Sequence, residues 1–151
     1  MAVKPVPDGM DRMIPHLVMS DANAAIEFYK KAFGAEEMMR MPGPGGKIMH
    51  AQLRINGHVL MLADEMMGQK SAKTMGGSPA GCMLYVEDAD EVFERAVAAG
   101  ATVEMPLANQ FWGDRYGKLR DPEGYSWSIA TQVEELTPAQ MMERMKTAMP
   151  A

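Results

Sequence analysis

The sequence predicts an α+β fold made of two βαβββ modules, and two observations support this prediction. A short apolar run followed by an Asp-Ala pair and an amphipathic stretch occurs twice, starting at Asp21 and at Asp88. Both stretches close with a Gly-Ala pair, at Gly34 and at Gly100. Two copies are too few for a solenoid, so the repeat indicates two similar half-domains that face each other.

The first module is predicted to contain four strands and one helix. Residues 14–19 form a strand, and Pro15 favours its placement at an edge or at a strand start. Asp21 caps a helix over residues 22–33, because apolar side chains recur there with helical spacing and a glycine follows. Three more strands are predicted at residues 36–41, 48–55 and 58–64, with a hairpin turn at Asn56-Gly57 between the last two.

The second module repeats this order of elements. A strand over residues 82–86 precedes a helix that starts after Asp88 and ends at Gly100. Three further strands are predicted at residues 101–105, 116–120 and 125–131. The sequence Asp-Pro-Glu-Gly at residues 121–124 forms the turn between the last two strands.

The chain is divided into residues 1–65 (first module), 66–80, 81–135 (second module) and 136–151. Residues 66–80 have no periodicity and are rich in glycine, so they form either a lid or a plain linker between the halves. Residues 136–151 are predicted to form an amphipathic helix with a capping box at Thr137 and Gln140 and a face of methionines. Such a helix requires a packing partner.

Composition excludes several classes of function. A net charge of −5 without a cluster of Lys or Arg argues against nucleic acid as a partner. The longest apolar run, residues 59–63, is too short to cross a membrane. A single cysteine, Cys82, and an N-terminal sequence without an apolar signal segment favour the cytoplasm. The eighteen methionines are expected to serve packing.

Three motifs resemble the vicinal oxygen chelate superfamily, which includes glyoxalase I, bleomycin-resistance proteins, fosfomycin-resistance enzymes and extradiol dioxygenases. They are DANAAIEFY at residues 21–29, Phe33-Gly34, and DPEGYSW at residues 121–127. The stretches at residues 42–57 and 111–124 are similar to the PhnB-like branch. The resemblance implies sheets that curl into an open cup, with helices outside, and a homodimer.

The resemblance also indicates where a metal would be bound in members that use one. The four ligand positions fall on Ile14, Met61, Gly81 and Ser128, and none of these is His, Asp or Glu. Because a divalent ion needs several such donors, we expect no metal and no other cofactor.

His16 is the candidate catalytic residue. Period-2 alternation places it on the same strand face as Ile14, which the resemblance directs toward the cup. An imidazole can exchange a proton near neutral pH, so His16 could act as a general base or a polar anchor. The alternative is a hydrogen bond within the strand pair. His50 and Gln52 share a face of their strand, which turns either toward a ligand or toward water.

The densest group of recognition residues is the stretch at residues 111–116. Trp112 and Tyr116 offer rigid aromatic area, and Arg115 could hold an anion through paired hydrogen bonds. Alternatively, Arg115 forms an ion pair with Asp114 or a dimer contact. Together with Tyr85 and Ser128, these residues complete the predicted ligand-binding set.

The sequence therefore favours a metal-free protein that binds a small anionic or aromatic molecule as a homodimer. The alternatives are a metal-dependent lyase, isomerase or dioxygenase, such as a lactoylglutathione lyase, and a metal-free enzyme that uses His16.

Overall fold

The computed structural model describes residues 3–149, which form two βαβββ modules and confirm the predicted α+β fold. The first module contains β1 (His16–Met19), α1 (Ala22–Phe33), β2 (Glu36–Pro42), β3 (Ile48–Ile55) and β4 (His58–Asp64). The second contains β5 (Gly81–Tyr85), α3 (Ala89–Ala99), β6 (Thr102–Asn109), β7 (Asp114–Arg120) and β8 (Ser126–Gln132). A short helix α2 (Ala72–Met75) lies between the modules, and α4 (Pro138–Ala148) follows them.

Each module forms a four-stranded mixed sheet, in the orders β1-β4-β3-β2 and β5-β8-β7-β6. The first and last strands of a module pair in parallel, and the other neighbours pair antiparallel. His16 lies opposite Met61 in the first sheet, and Met83 lies opposite Ser128 at the corresponding point of the second. The duplication seen in the sequence therefore extends to strand register.

Local signals in the sequence set both ends of the two long helices. The Asp21 carboxylate accepts a hydrogen bond from Ala24 N, and the Asp88 carboxylate accepts one from Glu91 N, which satisfies amides that have no partner inside the helix. Gly34 and Gly100 end the helices in the left-handed conformation, which side chains with a Cβ avoid.

The two modules share one hydrophobic core. Helices α1 and α3 pack side by side, and each covers one face of its own sheet. The rings of Tyr29 and Phe33 on α1 reach the second module and lie 5.3 and 4.8 Å from the ring of Trp127. Because aromatic burial of this kind is a large source of stability, the modules are held together through their helix-covered faces.

The turn at residues 121–124 also joins the modules. The buried Asp121 carboxylate accepts hydrogen bonds from the Tyr29 hydroxyl and from Trp127 Nε1, the latter at 2.9 Å. Burial raises the pKa of Asp121. Next to it, the Glu123 carboxylate accepts from Ser20 N at 2.6 Å. A turn that links two strands of the second module therefore also forms hydrogen bonds with the first module.

Residues 66–80 contain more structure than the sequence suggested. Ser71 caps α2, and its amide and hydroxyl both donate to the Glu65 carboxylate at 2.7 Å. Ala72 is buried. The start of this connection is therefore fixed to the end of β4.

Helix α4 lies after the second module and buries none of its side chains. Its first turn has the predicted capping box between Thr137 and Gln140, and Arg144 forms an ion pair with Glu134 at 2.6 Å. Its Met142, Met145 and Met149 are exposed, so no side chain among residues 3–149 is the packing partner that the sequence predicts. Among the helices formed by residues 3–149, none is both long enough and apolar enough to cross a membrane.

Candidate functional site

Each sheet has one face that its helix covers and one face that it leaves open. In β3, Ala51 and Leu53 point into the core beneath α1, so His50 and Gln52 lie on the opposite face. The first open face is defined here by His16, Met39, His50, Gln52 and Met61. The second open face is defined by Met83, Tyr85, Tyr116, Lys118 and Ser128.

Three predicted site residues meet on the first open face. The rings of His16 and His50 are stacked, with centroids 5.9 Å apart and planes inclined by 22°. Gln52 Nε2 lies 3.2 Å from His50 Nε2. An amide nitrogen can only donate, so this contact allows Gln52 to orient the His50 ring. His16 lies on the exposed edge strand, where its ring nitrogens can reach a ligand.

Two hydroxyl groups form a polar pair on the second open face. The Tyr116 and Ser128 oxygens lie 2.7 Å apart, on the neighbouring strands β7 and β8. Each can accept a further hydrogen bond, and the hydroxyl that accepts within the pair keeps its own proton to donate to a ligand.

A buried carboxylate fixes two aromatic rings at one end of this face. Asp114 Oδ2 accepts from the Tyr85 hydroxyl at 2.8 Å and from Trp112 Nε1 at 2.9 Å. Only 4% of Asp114 is exposed, and its hydrogen bond raises the pKa of Tyr85. The Trp112 ring packs edge-on against Tyr116 at 5.4 Å. The rings are therefore held in one geometry before any ligand arrives.

The structure does not bring Arg115 to this face. Arg115 alternates with Gly117 and Leu119 on the side of β7 that faces α3. Its guanidinium donates two hydrogen bonds of 2.6 Å to the Asp90 carboxylate on α3. This pair raises the pKa of Arg115 and lowers that of Asp90. Arg115 has the ion-pair role that was the alternative, although its partner is Asp90 rather than Asp114.

Two residues of the second open face were missed from the sequence. Lys118 pairs with Met105 on one side and with Ser128 on the other. Gln52 has the same position in the first sheet, between Met39 and Met61. Asp114 fixes the aromatic rings. Alternation within β7 could have identified both, because Asp114, Tyr116 and Lys118 are two residues apart.

Cys82 and His58 lie outside the two open faces. Cys82 packs against the core beside Trp127, and burial raises the pKa of its thiol, which makes it a poor nucleophile. The His58 side chain is exposed beside Asp11, with Nδ1 3.3 Å from the carboxylate.

Residues 10–129 match the Glyoxalase/Bleomycin resistance protein/Dioxygenase superfamily. This chain belongs to that superfamily. The uncharacterized protein Rv0887c of Mycobacterium tuberculosis is 49% identical over 140 residues, which cover 89% of this chain and 80% of that protein.

Two solved structures have a similar fold. The crystal structure of TioX from Micromonospora sp. ML1 is similar with a TM-score of 0.64 and 31% identity, covering 81% of this chain and 98% of that one. The PhnB protein from Bacillus cereus has a TM-score of 0.60 at 21% identity, covering 80% of this chain and 99% of that one, and supports the fold alone.

The residues at the four positions that the sequence resemblance assigns to metal ligands are not suited to bind a divalent ion. Met61 and Ser128 lie in the sheets, Gly81 has no side chain, and Ile14 precedes β1. None of these residues offers an imidazole or a carboxylate. Within residues 3–149, no three His, Cys, Asp or Glu side chains gather closely enough to hold an ion.

Proposed function

We propose that this protein is a metal-free, small-molecule-binding member of the superfamily that acts as a cytoplasmic homodimer. The observation that supports the proposal is the grouping of polar side chains on otherwise apolar open faces, with His16, His50 and Gln52 on one and Tyr116 and Ser128 on the other. A few convergent polar groups in apolar surroundings are typical of ligand sites. Assignment to the PhnB-like branch rests on the sequence of residues 42–57 and 111–124.

The open faces expose apolar area that a monomer rarely leaves uncovered. Met39 and Met41 are exposed on the first sheet, and Met83 and Tyr85 are 46% and 56% exposed on the second. Contiguous apolar patches of this kind mark interaction sites. A second copy supplies the matching surface if the first open face of one protomer meets the second open face of its partner.

Pairing two copies in this way forms two equivalent cups and covers all four open faces. Within one chain the helix-covered faces share the core, which leaves the open faces for the partner. The exposed methionines of α4 add a further apolar surface for the same contact.

Charge placed on an open face tests this assembly. Met83→Glu is expected to convert the dimer to a monomer in sedimentation equilibrium, because the contact would have to desolvate a carboxylate in place of an apolar side chain. Met75→Glu is the matched control, since Met75 is 71% exposed on α2 and lies on neither open face. A wild-type monomer, or a Met83→Glu dimer as stable as the control, would contradict the proposal.

A metal-free enzyme is the second candidate, and the histidine pair favours it. Gln52 Nε2 lies within hydrogen-bond distance of His50 Nε2, while the His16 ring stacks beside the His50 ring on the exposed edge strand. This arrangement allows His16 to accept a proton from a bound substrate. His16 would then be required for turnover but not for binding.

A further inference from the structure

We propose that the cup takes a small aromatic monoanion, a planar ring system with one carboxylate, and that Lys118 binds its charge. This inference rests on the proposed function, because it names the ligand class of the same cup. Two features of the second open face support it: rings whose polar atoms are already occupied, and a lysine in the middle of the sheet.

The polar atoms of the aromatic residues already have hydrogen-bond partners within the chain. The Tyr85 hydroxyl and the Trp112 indole nitrogen both donate to Asp114, and the Tyr116 hydroxyl is paired with Ser128. Phe111 extends the group, with its ring 5.0 Å from that of Trp112 at an interplanar angle of 89°. A group of fixed rings favours a planar aromatic ligand, since stacking then costs little conformational entropy.

Lys118 gives this face a positive charge, which helps to lower the pKa of the nearby Glu104 without forming an ion pair with it. Among the side chains of residues 3–149, none forms an ion pair with Lys118. The nearby Glu104 carboxylate is bound by Arg120 at 2.6 Å and by the Ser126 hydroxyl at 2.9 Å. The face therefore has Lys118 and Arg120 beside two carboxylates, Glu104 and Asp114, and both carboxylates already accept hydrogen bonds from other side chains.

The side chains that could bind an anion are close enough together for a small ligand. Lys118 lies directly opposite Ser128 in the β7–β8 ladder, and Tyr116 precedes Lys118 by two residues on the same face. Side chains so placed are about 5–7 Å apart at Cβ. A carboxylate can therefore reach the ammonium and the hydroxyl pair while its ring contacts Trp112 or Tyr85.

Three naphthalene probes that differ in charge test the ligand class by isothermal titration calorimetry. They are 1-naphthoate, the neutral 1-naphthalenemethanol and the cationic 1-naphthylmethylammonium. We expect 1-naphthoate to bind at least tenfold more tightly than the other two, the scale of a charge-assisted hydrogen bond.

Lys118→Met should weaken 1-naphthoate binding at least tenfold and leave the neutral probe unchanged. Lys70→Met is the control, because it removes the same charge from an exposed residue in the connection between the modules. Unchanged thermal melting shows that both variants fold.

Two outcomes would overturn the inference. Sedimentation equilibrium of wild type and Met83→Glu then shows separately whether the proposed dimer forms. If the neutral probe binds as tightly as 1-naphthoate and Lys118→Met changes neither, the ligand class is wrong. If none of the three probes binds, the inference also fails, and the response of the dimer to Met83→Glu then shows whether the cup exists without this ligand.

Discussion

Asp121 shows how one side chain joins the two modules. Its carboxylate is the acceptor for the Tyr29 hydroxyl and the Trp127 indole, and both of these side chains are buried. It also accepts the amides of Glu123 and Tyr125, at 2.9 and 3.0 Å. The hydrogen bonds offset the desolvation cost that raises its pKa, so the network is stable only when it is complete.

Asp121→Ala should therefore be strongly destabilising. Removing the acceptor leaves two buried donors unpaired, and we expect a loss of about 3–5 kcal/mol in the free energy of unfolding. Urea denaturation at neutral pH measures this loss.

Asp88→Ala is the matched control because it removes an exposed helix cap, at a cost of about 1 kcal/mol. Equal losses in the two variants would show that Asp121 does not join the modules.

Residue-level patterns predicted the first open face better than the second. His50 and Gln52 share a strand face as predicted, because β3 begins and ends where alternation and the Asn-Gly turn placed it. Arg115 was predicted to bind a ligand, and the strand that follows it was predicted to start at Tyr116. The strand begins at Asp114 instead, so Arg115 lies inside it and alternation turns the guanidinium toward α3.

At the level of elements, the strongly periodic segments were predictable and the short helix was not. The two long helices have a capping aspartate, a glycine at the end and an apolar stripe, and all three signals agree. Helix α2 has four residues, which is too few to show a period. It forms because Ser71 caps it and Glu65 holds Ser71, and the sequence does not show that contact.

The contact between Glu65 and α2 should make stability depend on pH. Hydrogen bonds from Thr74 and Ser71 lower the pKa of Glu65 to about 2. A carboxyl with a lowered pKa stabilises the fold above its unfolded value of 4.5, and this stabilisation is lost as the pH falls toward 2. Glu65→Gln should lower the melting temperature at pH 6, and the difference from wild type should shrink as the pH falls to 3.

Glu94→Gln on the exposed side of α3 serves as the control for this pH series. A difference between wild type and Glu65→Gln that stays constant from pH 6 to pH 3 would mean that the ionised carboxylate does not hold α2.

At the scale of the whole molecule, the fold places this chain in the superfamily, but the residues at the expected metal positions argue against a metal-dependent activity. The superfamily match covers residues 10–129, yet the positions that the sequence resemblance assigns to metal ligands hold Ile14, Met61, Gly81 and Ser128. Membership alone therefore does not imply the chemistry of a lyase or dioxygenase.

Purified protein should contain no stoichiometric divalent ion, and a chelator should leave its melting temperature unchanged. An ion that binds only the folded state stabilises that state, so its removal would lower the melting temperature. Elemental analysis that finds about one Zn, Ni, Mn or Fe per chain, with a lower melting temperature in chelator, would favour the lyase or dioxygenase alternative. His16 and His50 would then be the first ligands to examine.

The central claim is that the first open face of one protomer meets the second open face of its partner. Met39→Lys charges the first face and Met83→Glu charges the second, so each variant alone has two damaged cups and should be monomeric. A mixed dimer has one undamaged cup, and its other cup sets a lysine against a glutamate.

Sedimentation equilibrium of the equimolar mixture tests this claim most directly. The account predicts a dimer in the mixture and monomers of each variant alone. A mixture that remains monomeric, or a dimer formed by either variant alone, would contradict it.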